Sequence, residues 1–222
     1  MYPAFLHFSH SPSRLFRLTA MHLHDRFAEF LSASEIIEAT PALLNDQRRR
    51  FISSPDIVLQ PNSVESVQKI MRFCFENRIR VTPQGGNTGL CGATVTTEGV
   101  LLNLSKLNRI RDINLADNSM TVEAGVILQN AQNVAAEAGR LFPLSLASEG
   151  SCQIGGNIAC NAGGLNVLRY GSMRDLVLGL EVVLPNGELV SHLQPLHKNT
   201  TGYDLRHLFI GSEGTLGIIT AA

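Results

Sequence analysis

Twelve of the 19 glycines fall in three short segments, 83-PQGGNTGLCG-92, 150-GSCQIGGNIACNAGG-164 and 211-GSEGTLG-217. Glycine loses more conformational freedom on folding than any other residue, so it persists where the main chain takes positive φ or approaches another group closely. Three such clusters spaced along one chain point to a single extended ligand held by backbone on several loops.

The intervening sequence supplies a scaffold for those loops. Ile57 to Leu59 reads as a strand, and Val64, Val67, Ile70, Met71 and Cys74 recur at helical spacing behind a helix start at Ser63. The stretch 79-IRVT-82 completes a compact βαβ unit, with the first glycine segment directly after it, and 100-VLLNL-104 is a further strand. From Arg109 the pattern changes. Residues 109–125 alternate about an Asp117-Asn118 turn as a hairpin, a helix runs from Ile127 to Ala138, and Gly139 ends it. A second hairpin joins 176-LVLGLEVVL-184 to 188-ELVS-191 through Pro185, Asn186 and Gly187, and a last strand begins at Thr215. The fold class is α+β in two subdomains, a small βαβ part at about 52–108 and a part rich in antiparallel strands at 109–222. They follow a tail at 1–22, expected to be disordered, and a helical segment at 23–51.

Several function classes are excluded. A net charge of −1 leaves no electrostatic footprint for nucleic acid, and no apolar run is long enough to span a bilayer. The four cysteines form no CxxC pair, and four of the seven histidines lie between residues 7 and 24, so no metal site is assigned in the chain. Reduced thiols favour a cytoplasmic location. Residues 1–20 carry only Arg14 and Arg17 as charges, a weak transit-peptide composition; an over-extended start with Met21 as initiator is the preferred reading.

The segment 85-GGNTG-89 is neither a Walker loop nor a GxGxxG fingerprint, yet successive glycine-loop N–H groups form a concave array suited to phosphate, with Asn87 and Thr88 as added side-chain donors. Gly155 and Gly156 open a short helix whose first amides suit a pyrophosphate, although close helix packing explains them equally. With their flanks, PQGGNTGL at 83–90, GSCQIGGNIACNAGGLNVLRYGS at 150–172, LGLEVVLPNGE at 178–188 and KNTTGYDLRHLFIGSEGTLGIIT at 198–220 resemble the FAD-binding half of the vanillyl-alcohol oxidase (PCMH-type) flavoproteins. The most similar branch is the FAD-linked D-2-hydroxy-acid dehydrogenases acting on D-lactate, D-2-hydroxyglutarate or glycolate.

That resemblance implies that Gly85, Gly86, Asn87, Thr88, Gly89 and Leu90 hold the FAD pyrophosphate. It places Pro143, Gly150, Ser151, Gly155, Gly156, Asn157, Ala159 and Asn161 along the flavin and ribityl chain, and Gly214 and Ile218 at the adenine. Relatives with covalent flavin carry histidine where this chain has Asn87, so the FAD is expected to be noncovalent. Family members continue into a cap domain that bears a divalent metal and the arginine gripping the substrate carboxylate, and this chain is expected to be truncated before it. Neither a catalytic residue nor a metal ligand is therefore assigned, and His192, His197 and His207 read as surface or packing groups. The implied partners are a 2-hydroxy acid and an electron acceptor such as a quinone or electron-transfer flavoprotein, with a partner chain as a possible source of the cap. Two other readings stay open: a flavin-binding module without independent catalysis, and a sugar-nucleotide reductase sharing the FAD half.

Overall fold

The computed structural model describes residues 20–222, with side chains from Leu23 onward. Residues 1–19 of the expected tail lie outside this range, whereas Ala20 to His22, Met21 among them, belong to the first helix rather than to a disordered tail. Helix α1 (Ala20–Ala28) leads through a 3-10 turn to strand β1 (Ile36–Ile37) and short helix α2 (Pro41–Leu44). The segment at 23–51 is thus not wholly helical, and it is built into the first subdomain. Phe27 of α1 meets Phe73 edge-on and Phe30, just after α1, meets it tilted, at centroid distances of 5.0 Å and 5.6 Å, and β1 pairs antiparallel with β2 (Ile57–Leu59).

Helix α3 (Val64–Glu76) begins where Ser63 accepts a hydrogen bond from the Ser66 amide, and its apolar stripe of Val67, Ile70 and Cys74 is buried. Burial pushes the Cys74 thiol up to about 12, so it packs as a small hydrophobe. The helix ends on Asn77 and on Arg78 at φ +55°, and this turn delays strand β3 to Val81–Gln84, two residues later than the apolar pattern suggests. Strand β4 (Val100–Asn103) then inserts between β2 and β3, parallel to both, giving the order β1-β2-β4-β3. The βαβ unit therefore skips one strand position, and β3, which delivers the first glycine segment, lies at the sheet edge.

In the second part, β5 (Ile110–Asn114) and β6 (Ser119–Val122) form the expected hairpin, followed by α4 (Leu128–Glu137), α5 (Ile154–Ala159) and α6 (Val167–Tyr170). Met173–Leu176, the last residue of which was expected to begin a strand, forms helix α7 behind a Ser172–Asp175 capping box. Strand β7 (Leu180–Val183) pairs with β8 (Leu189–His192) across the Pro185–Gly187 turn, helix α8 is Arg206–Phe209, and β9 (Ile218–Ala221) runs antiparallel to β7 on its other side.

The β8-β7-β9 sheet is covered on both faces. Val183 and Ile218 enter the core under α3, whereas Val182 and Ile219 enter a second core with Ile154, Ile158 and Leu144. Double-sided burial explains why β7 is apolar at every position but Glu181. Beside it, the Arg111 guanidinium bridges two buried carboxylates, donating to Glu181 at 3.0 Å and 3.1 Å and to Glu123 at 3.2 Å.

Candidate functional site

The three glycine segments converge on one cleft. Its lining includes Gln84, Gly85 and Thr94 from the first segment and its flanks, Gly155, Gly156, Ala159 and Cys160 around α5, and Glu213, Gly214 and Ile218 from the third. The segments are joined by backbone: Gly211 and Glu213 donate to the carbonyls of Ile158 and Ala159 at 3.1 Å and 2.9 Å, closing the C-terminal end of α5.

The glycines divide into two kinds. Gly86, Gly155 and Gly214 are packing glycines: a Cβ at Gly86 would lie 2.1 Å from the Ser151 carbonyl oxygen, one at Gly155 2.6 Å from the Ala124 Cβ, and one at Gly214 2.4 Å from the Pro83 ring. Gly89, Gly150 and Gly156 face open space, with no atom within 4 Å of an added Cβ. A Gly155→Ala chain is accordingly expected to lose about 1–3 kcal/mol of stability through overpacking. Gly156→Ala instead leaves the ligand-free fold within about 1 kcal/mol of wild type, alanine being the better helix former, and weakens the cofactor by filling the cleft. Thermal unfolding and flavin retention measured on both variants check this split.

Donors for an anion come chiefly from the first loop. Among the described residues, no backbone N–H from Gly85 through Thr94 donates to a protein acceptor, although Gly85 to Thr88 are half-buried. Native chains pair nearly all sequestered main-chain donors, so such a run is the signature of a ligand-facing loop. The start of α5 contributes less than expected: the Ile154 and Gly155 amides already donate to Val126 and Ala124 carbonyls at 2.9 Å and 2.8 Å, leaving the Gly156 amide unpartnered.

Other expected site residues take different positions. The Asn87 side chain is not a free donor: its Nδ2 bonds the carbonyls of Asn45 at 2.6 Å and Ala42 at 3.2 Å, its Oδ1 accepts from Thr94 at 2.8 Å, and φ is +52°. It fastens the loop to the N-terminal segment, and Gln84 does likewise through Leu43. Thr88 is half-buried, and Leu90 lies exposed on the loop. Asn157 is buried with its amide on the Cys152 Sγ at 3.5 Å, and Asn161, at φ +48°, accepts from the Arg174 amide. Gly150 and Ser151 form the turn ahead of α5. Pro143 instead lines a separate cavity of about 530 Å³ beside the β5–β6 hairpin. Polar groups there already bond to protein: Arg140 to Asn118 and Leu115, and Asp175 to Ser172.

The chain matches the family model described as FAD binding domain over residues 55–192, more than half of its length. The chain belongs to this FAD-binding family. FAD is its cofactor, and the cleft fits that cofactor, because the unpartnered loop amides supply donors for a diphosphate and the open glycines leave room beside them. The domain is 42% identical over 200 residues to a D-2-hydroxyglutarate–pyruvate transhydrogenase of Saccharomyces cerevisiae, covering 87% of this chain and 40% of that protein. It is 48% identical over 178 residues to a D-2-hydroxyglutarate dehydrogenase of Xanthomonas citri pv. viticola, covering 80% and 38%. Thus the chain spans about two fifths of the length of these relatives. Among solved structures, an alkyldihydroxyacetonephosphate synthase superposes with a TM-score of 0.77 at 19% identity over 90% of this chain and 38% of that one, the same α+β fold.

Besides Gln84, Thr94 and Glu213 of the lining, sequence reasoning missed Gln153. Gln153, the N-cap of α5, buries its Oε1 between the first two glycine segments without a hydrogen-bond partner. The sequence alone holds one signal for it, a lone amide side chain inside GSCQIGG.

Proposed function

We propose that this domain is the noncovalent FAD-binding part of an oxidoreductase that oxidises a D-2-hydroxy acid to a 2-oxo acid. The run of unpartnered amides from Gly85 to Thr94 carries the cofactor half of this reading. The names of the relatives carry the substrate half.

When bound, FAD accepts a hydride and so supplies the redox chemistry. The protein binds and orients. Amides of Gly85–Leu90 and Gly156 would hold the diphosphate, Gly150 and Ser151 would border the flavin side, and Gly214 and Ile218 would border the adenine. Asn87 keeps the loop in shape from behind, and an amide at that position forms no bond to the flavin ring.

A specific observation favours the second reading, a module whose catalytic groups come from elsewhere. The cleft lining includes Glu213 and Cys160 as titratable groups but no histidine, and no described His, Cys, Asp or Glu residues gather as a metal site. His207 pairs with Asp204 on α8, and His197 lines the other cavity. The substrate-carboxylate grip, the proton acceptor and any divalent metal would then lie in a cap domain or partner chain, with a quinone or electron-transfer flavoprotein as electron acceptor. The sugar-nucleotide reductase reading is weaker, since no relative named above bears that activity.

No described helix is long and apolar enough to cross a membrane. Names of the relatives from Danio rerio and Bos taurus place those proteins in mitochondria. For this chain the four free cysteines support a reducing compartment such as the cytoplasm.

Gel filtration of the purified chain after incubation with FAD tests the cofactor half. Flavin is expected to co-elute with protein and to be released intact by acid denaturation. Flavin that never co-elutes sinks the cofactor reading. Bleaching of the bound flavin by D-2-hydroxyglutarate or D-lactate, added to the chain alone, would sink the incomplete-module reading.

A further inference from the structure

The ligand-free cleft holds an unusual pairing of unmet needs. The Gln153 Oε1 is sealed from solvent and has no donor, and the whole residue is 7% exposed. Buried side-chain acceptors are nearly always paired, and leaving one unpaired is costly. Gly85 lies across the gap: a Cβ built there would lie 3.3 Å from this oxygen and 3.8 Å from the Gly156 nitrogen. Gly85 begins the run whose main-chain N–H groups find no protein acceptor. A buried acceptor without a donor therefore faces a series of donors without acceptors.

The diphosphate of FAD offers acceptors only, so it satisfies the loop amides but not Gln153. Donors for Oε1 are then a ribityl hydroxyl of FAD or the loop itself, and the loop already stands against it at Gly85 in the ligand-free chain. We propose that Gln153 is a positioning residue for the cofactor loop: with FAD in place, its Oε1 accepts a hydrogen bond from the main-chain N–H of Gly85 or Gly86. That bond pins the start of the loop to the N-cap of α5 while the amides further along turn to the diphosphate. A small displacement suffices, because Asn87 and Gln84 already anchor the loop to the carbonyls of Asn45, Ala42 and Leu43. Gly85 permits the approach, since a side chain there would meet the Gln153 amide.

This role rests on the FAD reading, and the experiment separates the two. Gln153→Met keeps the side-chain length and removes the acceptor. In the ligand-free chain it ends the unmet need, so the variant's Tm is expected to rise by a few degrees. In the FAD complex it removes a bond, so the Kd for FAD is expected to rise roughly tenfold. A residue with a merely structural role moves both quantities in the destabilising direction, and that result overturns the proposal, as does a Kd within twofold of wild type. A measurement on the wild-type chain does not depend on the variant folding. Hydrogen exchange at the Gly85 or Gly86 amide should slow on adding FAD, and less so in Gln153→Met; unchanged exchange at both amides with FAD bound, or equal slowing in the two chains, equally overturns the proposal. If the wild-type chain takes up no flavin, the FAD reading fails and this role fails with it.

Discussion

A Gly86→Ala chain should retain no FAD and should unfold well below the wild-type temperature. The added methyl would stand 2.1 Å from the Ser151 carbonyl oxygen, a backbone atom that cannot rotate away. Relief requires the first glycine segment to separate from the turn ahead of α5, and that separation dismantles the cleft. Overpacking of this kind costs about 1–3 kcal/mol where side chains can adjust and more where they cannot. Gly89→Ala is the matched control, because nothing lies within 4 Å of its added Cβ. Its ligand-free stability is expected within about 0.5 kcal/mol of wild type, as for surface changes away from special features. Thermal unfolding of the two ligand-free variants gives opposite outcomes if the division between packing and open glycines is right, and equal loss of stability in both would refute it.

The second large effect is expected outside the cleft lining, at Arg111. Glu181 is buried and holds two bonds from this guanidinium and one from the Thr220 hydroxyl at 2.9 Å. Glu123 keeps Arg109 as a second cation, at 2.8 Å and 3.1 Å, but Glu181 has no other among the described residues. Arg111→Met thus strands a carboxylate between β7 and β9. Breaking a buried pair from one side costs roughly 3–5 kcal/mol, and the lower end applies because a quarter of the Arg111 side chain meets solvent. The double change Arg111→Met with Glu181→Gln should recover most of the loss, and denaturant unfolding of the set measures it. Failure of the double variant to recover would mean that the guanidinium acts mainly by filling space.

The same network sets an acid limit. Burial alone would raise the Glu123 carboxyl, but side-chain and main-chain bonds from Arg109, with help from Arg111, hold it below its ordinary value of 4.5. A carboxyl lowered in the folded state adds stability that is fully present above that value and is lost as pH falls through the folded one. Unfolding temperatures for wild type should therefore hold steady down to about pH 5 and decline below it.

Much of this was legible from local chemistry. Ser63 announced α3, the Pro185–Gly187 triplet announced the β7–β8 turn, and the glycine clusters announced the cleft. The remainder depends on contacts between distant residues. Nothing near Gly86 or Gly155 says that their missing side chains make room for Ser151 and Ala124 rather than for a ligand. Asn87 resembles a phosphate donor until the segment around Ala42 and Asn45 folds against it. The place of β4 between β2 and β3 is a choice of topology that apolar patterning leaves undetermined.

The doubly covered β8-β7-β9 sheet has a consequence for how cofactor gets in and out. Since β7 and β9 send neighbouring side chains into both cores, the two halves of the domain cannot swing apart without exposing each interior. Exchange of FAD is then expected to follow fluctuation of the Gly85–Thr94 loop, which its Asn87 moorings on Asn45 and Ala42 slow.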